Sequence, residues 1–190
     1  SPMQVVLRYT SKNSSFRNDI YIIVGAVSTD QTVRMGVGLY KAISAGSINL
    51  NTDDPYSQPV INYNYFSDDF DLKRTREAVR LSCEIASDTE FINVDGYPVG
   101  MSADILFDDH ALDLWMKTNV DTFHHISGTC KMGPKEDNFA VVSETGLVHG
   151  VENLRVADAS IMPDVVRANT NATVIMMAEK IADEIIDSFE

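Results

Sequence analysis

Short runs of β-branched and aromatic residues, separated by clusters of Asn, Asp, Ser and Gly, occupy the amino-terminal third of the chain. Such runs predict strands, because branched and aromatic side chains pack well on a pleated surface. The predicted strands are residues 4–9, 20–24, 33–40, 46–50 and 60–65. Since no helical pattern separates them, we expect an antiparallel sheet.

The spacing of the apolar positions changes after residue 68. Apolar and small residues recur three or four positions apart from Leu72 to Ile85, which predicts an amphipathic helix beginning near Asp69. The same pattern places Arg74 and the later arginines of this segment on the outer face. A shorter helix is predicted over residues 108–118. Its expected buried stripe is Leu112, Trp115 and Met116.

The carboxy-terminal segment has a third pattern. Residues 153–158 predict a short buried strand, and after an Asn-rich turn a long helix is predicted over residues 171–188. The stripe expected to face the core of this helix is Val174, Met177, Ala178, Ile181 and Ile185. A strand that leads into a helix is one edge of an α/β unit, but the chain contains no partner unit. The predicted fold class is therefore α+β.

Composition and charge narrow the range of partners. The 190 residues suffice for one well-buried domain and part of a second. A net charge of -13 opposes binding to nucleic acid and to anionic membrane surfaces. No apolar run approaches the roughly 18 to 20 residues that cross a bilayer. The chain begins with Ser1 and Pro2 and no initiator Met, as expected for a segment cut from a longer protein.

The two cysteines, Cys83 and Cys130, lack the spacing of a CxxC motif. A single disulfide between them is conceivable, but a reduced pair is favoured. A cytoplasmic location is favoured as well, although nothing in the sequence fixes the compartment.

The most informative loop runs from Phe123 to Pro134 and contains His124 and His125 ahead of small residues. An imidazole held at the mouth of such a loop exchanges protons near neutral pH, which suits a general base. On pattern alone, adjacent histidines are more simply explained as surface or core side chains. The four histidines lack the spacing of a zinc site, so no metal is expected.

A second polar stretch, Asn169 to Thr173, comes directly before the last helix. Its side chains are of the type that caps the free N–H groups of a helix, and plain capping is the simplest interpretation. A functional interpretation is that the positive end of this helix faces an anion or developing negative charge.

Taken together, three ordered blocks resemble the glucose-methanol-choline (GMC) oxidoreductase family over nearly the whole chain. The first block comprises residues 44–50, Asp54-Pro55 and Asn64 to Phe66. The second is the loop from His125 to Gly133, which is similar to the family's His-x-x-Gly-Thr-Cys-(Arg/Lys)-Met-Gly pattern. The third comprises residues 154–163, followed by Asn169 to Thr173.

The resemblance implies an alcohol oxidoreductase that uses FAD. His125 would take the proton of the substrate hydroxyl while the neighbouring carbon gives a hydride to flavin N5. Asn169 stands where the family has His or Asn, and would donate a hydrogen bond to the substrate oxygen. The residues expected to face the flavin are Asp158, Ala159, Asn171 and Thr173. His124 departs from the aromatic residue common in the family, and the register with Gly128-Thr129-Cys130 favours His125 as the acting imidazole.

The family's amino-terminal Gly-x-Gly-x-x-Gly fold, which holds the adenine half of FAD, is missing from this sequence. Residues 1–139 would then form an antiparallel substrate-binding domain with flanking helices. Residues 140–190 would be a segment returning to the absent FAD-binding domain, and the isolated chain would bind FAD weakly and be inactive. The implied partners are a small alcohol and the amino-terminal part of the same protein. A hydroxynitrile-lyase-type member and a non-catalytic binding module remain as alternatives.

Overall fold

The computed structural model describes residues 3–27, 32–92 and 101–189. The chain divides into two compact units, Ser1–Asp121 and Thr122–Glu190. The predicted division after residue 139 concerns which residues belong with a cofactor domain, and it stays a prediction.

The first unit contains a three-stranded antiparallel sheet in the order β1-β2-β3. Its strands are β1 (Met3–Tyr9), β2 (Ile20–Val27) and β3 (Thr32–Leu39). In the register of the sheet, Ile22 of β2 lies opposite Leu7 of β1 and Val37 of β3. The alternating and branched runs thus form the antiparallel sheet that the sequence predicts.

A separate two-stranded hairpin follows, formed by β4 (Ser47–Asn49) and β5 (Val60–Asn62). Both strands are shorter than predicted. A side chain at Gly46 would place its Cβ 2.1 Å from the carbonyl oxygen of Asn62, so only glycine allows the strands to approach there. Beyond β5, Asn64 has a left-handed φ of 52°, which ends the extended backbone.

The described part of the first unit also contains four helices. They are α1 (Asp69–Ala86), α2 (Thr89–Ile92), α3 (Ala103–Phe107) and α4 (Asp109–Asn119). The two long helices begin where the sequence predicts, and each has an aspartate cap: Asp68 accepts from the Phe70 N–H at 2.8 Å and Asp108 from the Ala111 N–H at 2.7 Å. The short α2 and α3 carry too few turns for a periodic pattern, and the sequence analysis does not predict them.

The core of the first unit lies on both sides of α1. Ala78 packs against Ile20 and Ile22 of the sheet. On its other side, α1 packs Leu72 and Val79 against Leu112 and Met116 of α4. The predicted buried stripe of α4 is therefore correct, with Trp115 packed partly buried against the same cluster.

Arg74 contradicts its predicted outer position. Its side chain is 1% exposed and lies inside the unit, where the guanidinium contacts Asp19 at 3.1 Å and Asp71 at 2.6 Å. The helical pattern missed this because an arginine counts as polar, and because its partner Asp19 lies 55 positions away in the chain. Arg80 lies partly exposed, as predicted.

The second unit is mostly irregular chain packed against one helix, α5 (Asn171–Asp187). Its buried hydrophobic cluster comprises Val142, Ile161 and Ile181. The helix and its inward Ile181 were predicted, but the strand predicted over residues 153–158 was wrong. There the backbone makes a single bridge, from Arg155 to Leu147, because the neighbouring chain turns at Gly146 and Gly150 with φ of 76° and 78°.

Cys83 and Cys130 are both free thiols, as favoured from the sequence. Burial raises the pKa of the Cys83 thiol above its ordinary value. Within the described ranges, no helix combines the length and the apolar composition needed to cross a membrane.

Candidate functional site in the second unit

The histidine loop runs beside a single turn of 3-10 helix formed by Ala159–Ile161. Every second N–H of the loop donates to this turn: Gly128 to the Ala159 carbonyl at 3.3 Å, Cys130 to that of Ser160 at 2.9 Å, and Met132 to that of Ile161 at 2.9 Å. Alternate donation is the pattern of an extended segment laid along its partner. The loop is thereby fixed to the buried Ile161, and its start is held in place.

Gly128 permits the bend at the start of this contact. Its φ of 82° lies in the left-handed region, where a side chain is strained. His124, four residues earlier, is also left-handed with φ of 59°, a conformation that histidine tolerates better than most residues. The two positions turn the chain on either side of His125.

His125 is half-buried, and both of its ring nitrogens have a partner from the start of the last helix. Nδ1 lies 3.1 Å from Oγ1 of Thr170, and Nε2 lies 3.0 Å from Nδ2 of Asn169. The two partners differ in exposure: Thr170 is buried at 7%, whereas Asn169 is exposed. The imidazole is therefore anchored at its inner nitrogen, and its outer nitrogen lies at the surface of the unit.

These two contacts define the protonation of the neutral ring. An amide Nδ2 only donates hydrogen bonds, so Nε2 accepts one and carries a lone pair. The proton of the neutral imidazole is then on Nδ1, which donates to the Thr170 hydroxyl. A ring in this form presents Nε2 as a base, and His125 has the arrangement that a proton acceptor requires.

Thr170 is the residue of this site that the sequence analysis missed. It stands at the N-cap position of α5, but its backbone is already helical, with φ of -74° and ψ of -20°, and its side chain makes no capping hydrogen bond. The hydroxyl bonds to His125 instead, so the capping interpretation is wrong for Thr170. A capping-type residue directly after Asn169 was visible in the sequence, but its partner lies 45 positions away.

The start of α5 carries unpaired helix N–H groups. The first helical bond runs from the Val174 N–H to the Thr170 carbonyl at 2.9 Å, so the amides of the preceding turn have no partner within the helix. The first turn contains no acidic residue. Asn171 is exposed and Thr173 is half-buried at this positive end of the helix dipole.

The other two residues implied to face a flavin lie in the 3-10 turn. The Asp158 carboxylate accepts from the Ser160 N–H at 2.8 Å and caps the turn. The Ala159 carbonyl accepts from Gly128. The Oδ1 of Asp158 and the carbonyl of Ala159 are therefore engaged within the segment.

The other two histidines of the second unit have other surroundings. His124 is exposed, and its backbone N–H donates to the hydroxyl of Thr122 at 3.0 Å. His149 places Nε2 3.1 Å from the Gly133 carbonyl and so braces the far end of the loop. Among the described residues, no group of three metal-ligating side chains is present.

Comparisons of this chain with known proteins agree on one family. The model for GMC oxidoreductase matches residues 42–178. Oxygen-dependent choline dehydrogenase of Ectopseudomonas mendocina is 43% identical over 151 residues, which cover 80% of this chain and 26% of that protein. The enzyme of the same name from Proteus mirabilis is 41% identical over 149 residues, 78% of this chain and 26% of that protein. The chain thus spans about a quarter of the length of these curated relatives.

Solved structures agree with this result. Pyridoxine 4-oxidase from Mesorbium loti superposes with a TM-score of 0.77 at 25% identity, covering 94% of this chain and 36% of that one. Formate oxidase superposes with a TM-score of 0.76 at 28% identity, covering 90% of this chain and 32% of that one. A protein described as an FAD-dependent oxidoreductase from Chaetomium thermophilum has a TM-score of 0.74 at 27% identity, with coverage of 88% and 28%.

Proposed function

Because this chain belongs to the GMC oxidoreductase family, whose model matches residues 42–178, we propose that it is the carboxy-terminal part of an FAD-dependent alcohol oxidoreductase. One observation carries the proposal: Nε2 of His125 and the amide of Asn169, 44 positions apart in the chain, lie 3.0 Å from one another. A base and a hydrogen-bond donor side by side are what removal of a hydroxyl proton needs.

The residues around this pair fit a flavin. The start of α5 has free N–H groups and no acidic side chain in its first turn, so negative charge is favoured beside Asn171 and Thr173. The N–H groups of Asp158 and Ala159 would add donors on the 3-10 turn. When bound, FAD supplies the acceptor for the hydride that leaves the alcohol carbon.

His125 handles the proton. Its Nε2 lone pair takes the hydrogen of the substrate hydroxyl, and the electrons of that O–H bond form the second bond of the carbonyl product. The imidazolium formed in this way then stands beside the oxygen and stabilises its negative charge. Thr170 is neutral, so the positive charge of the ring is not cancelled by a bonded carboxylate.

Asn169 orients the substrate. Its Nδ2 donates to Nε2, and an arriving hydroxyl takes over this position by donating to Nε2 and accepting from the amide. The side chain is exposed, so the exchange requires no opening of the core. The amide stays hydrogen-bonded to the substrate oxygen as negative charge develops there. A donor at this position lowers the barrier.

Choline is the first substrate to test. The relatives at 41–43% identity are named oxygen-dependent choline dehydrogenase, whereas solved structures named for other substrates are 25–28% identical. Choline carries a quaternary ammonium group, and the net charge of -13 attracts cations.

The FAD-binding part is proposed to lie in an amino-terminal region of the same protein, since the chain covers 26% of its curated relatives. In this assignment residues 1–139 bind substrate and residues 140–190 return to the FAD-binding domain. The 190-residue chain by itself is then expected to bind FAD weakly and to have no turnover.

The experiment uses the full-length protein that carries this chain together with its FAD-binding part. Mixing it with choline without oxygen should bleach the flavin absorbance, and His125→Ala should slow bleaching about 10²- to 10⁴-fold, the usual share of a general base. His124→Ala, a change of the neighbouring imidazole, is the matched control and should leave the rate within about twofold of wild type.

Three other outcomes would replace the proposal. A flavin that stays oxidised with every alcohol, while the protein cleaves a cyanohydrin, identifies a hydroxynitrile-lyase-type member. Equal bleaching in wild type and His125→Ala removes this histidine from the chemistry. A protein that binds no flavin at all would be a non-catalytic module.

A further inference from the structure

The Thr170 hydroxyl lies in a position that the fold of α5 does not explain. An N-cap threonine normally has an extended backbone and bonds an N–H of the first turn. Thr170 has helical φ and ψ and makes no such bond, although its carbonyl begins the helix by accepting from Val174. Its hydroxyl is instead committed to Nδ1 of His125 at 3.1 Å. The Thr170 side chain thus contacts the imidazole and does not cap the helix.

Because Thr170 is buried, its contact with Nδ1 holds that end of the imidazole in place. Thr170 is 7% exposed, and its branched side chain has little rotational freedom at the start of a helix. Asn169 at the other end is exposed and has to exchange its bond when an alcohol arrives. While that exchange takes place, the bond at Nδ1 is the one that holds the plane and the protonation state of the ring.

We propose that Thr170 is a positioning residue that accepts the Nδ1 proton of His125 and thereby keeps the lone pair on Nε2. A histidine without such a partner prefers its proton on Nε2, and in that form it cannot accept a proton from an alcohol at that atom. The inference rests on the proposed role of His125 as the base. It adds a residue, a hydroxyl partner and a defined tautomer to that role.

The first test needs no variant. Nitrogen-15 NMR of the imidazoles in the 190-residue chain, with His125 assigned by its loss in His125→Gln, distinguishes a protonated from an unprotonated ring nitrogen. At a pH where the ring is neutral, we expect the proton on Nδ1 and a bare Nε2. A neutral His125 with its proton on Nε2 would overturn the proposal.

The second test changes the hydroxyl alone. Thr170→Val keeps the shape and removes the acceptor, so the proton should move toward Nε2, and flavin reduction in the full-length protein should slow about tenfold, the share of one hydrogen bond. Thr170→Ser restores a hydroxyl and should restore both the tautomer and most of the rate. Thr145→Val is the control, because the Thr145 hydroxyl bonds Ser143 at 3.0 Å and not the imidazole.

The outcomes separate this inference from the proposed function. If His125→Ala abolishes flavin reduction but Thr170→Val keeps both the wild-type tautomer and the wild-type rate, His125 is the base and Thr170 does not position it. If Thr170→Val fails to fold, the wild-type spectrum and the Thr170→Ser rate still decide. If His125→Ala reduces flavin as fast as wild type, the base role fails whatever the tautomer is.

Discussion

Two polar clusters of this chain, one in each compact unit, differ in construction. In the first unit, Arg74 is enclosed at 1% exposure between Asp19 and Asp71 and also donates to two backbone carbonyls. In the second, His125 is half-buried, and both hydrogen-bonding partners of its ring are neutral. One cluster is sealed and charge-compensated, and the other leaves a nitrogen lone pair at the surface.

The first cluster holds the fold. The Arg74 guanidinium stacks on Phe70 at 4.4 Å from the ring centre, and its nitrogens join α1 to the loops before β2 and after β3. Burial tends to raise the pKa of Asp19, but hydrogen bonds from Ser11 and Arg74 outweigh it, and the pKa lies below its ordinary value. Hydrogen bonds from Ser44 and Ile43 lower the pKa of Asp71 in the same way. Both carboxylates are thus committed to the fold, although the Nε of Arg74 is buried without a hydrogen-bond partner.

The second cluster is built for exchange. The Asn169 bond to Nε2 is at the surface and can be replaced by a substrate oxygen. Burial and charge compensation, rather than the mere presence of polar residues, therefore separate a structural cluster from a chemical one.

The largest effect should come from breaking the sealed cluster. Arg74→Met keeps most of the volume but leaves two buried carboxylates unpaired, so the free energy of unfolding of the first unit should fall by about 3–5 kcal/mol. The fluorescence of Trp115, the only tryptophan of the chain, follows this unit during urea unfolding.

Arg80→Met is the matched control, because Arg80 lies on the same helix and pairs with an exposed carboxylate at 2.8 Å. It should change stability far less. An equal loss of stability in the two variants would mean that the buried Arg74 cluster contributes no more than an exposed ion pair. The His125 tautomer should be the same in both.

Asn169 should show the opposite behaviour. Asn169→Ala removes the donor beside the substrate oxygen and should slow flavin reduction about 10²-fold, as the loss of one such donor does in other enzymes. Its exposed side chain should leave unfolding unchanged. Asn169→His, which supplies another donor, should keep part of the rate. A destabilised Asn169→Ala with normal turnover would place this residue in the structural class.

A third change tests which contacts stabilise the second unit, because its polar cluster is not expected to do so. A Cβ at Gly146 would lie 2.6 Å from the Val156 carbonyl and 3.0 Å from the Ile181 side chain, whereas Gly150 has open space around it. Both glycines have positive φ, so each change to alanine costs about 1–2 kcal/mol in backbone strain. Gly146→Ala should cost more because of the overlap.

Hydrogen exchange of the α5 amides measures this difference within the second unit. Faster exchange in Gly146→Ala than in Gly150→Ala is the expected result. Matching exchange rates would show that the contact between Gly146 and Ile181 does not support the core.

The smallest effect is a pH dependence that arises at the sealed cluster. Because the pKa values of Asp19 and Asp71 are lowered in the folded state, their stabilisation is complete above the ordinary carboxyl pKa of about 3.9 and is lost as the pH falls through the lowered values. Urea midpoints by Trp115 fluorescence from pH 6 to pH 3 should therefore decline at the acid end. Asp19→Asn should flatten this decline, and an unchanged slope in that variant would contradict the assignment.

The sequence predicted those parts of the fold that rest on repeated apolar positions. Helices α1, α4 and α5 follow from their periodic stripes, and the first sheet follows from its branched runs, because buried positions recur at the period of the element. Residues 153–158 failed because a short apolar run does not specify a partner strand, and here the chain turns at Gly146 and Gly150 instead.

The candidate site was predictable only in part. His125 and Asn169 were chosen from motifs, and the structure brings them together. Thr170 and Arg74 were missed for the same physical reason: each has a role decided by a partner 45 or 55 positions away, and local spacing carries no record of such a contact. A threonine before a helix looks like a cap, and an arginine in a helix looks like a solvated side chain.

Chemical rescue probes the base role of His125 most directly. In the full-length protein, His125→Ala removes the imidazole, and free imidazole added to the solution can supply the missing nitrogen base. We predict slow anaerobic flavin reduction by choline in this variant and a rate constant that rises with imidazole concentration. Reduction of the flavin by His125→Ala at the wild-type rate, with no response to imidazole, would contradict the assignment of His125 as the base.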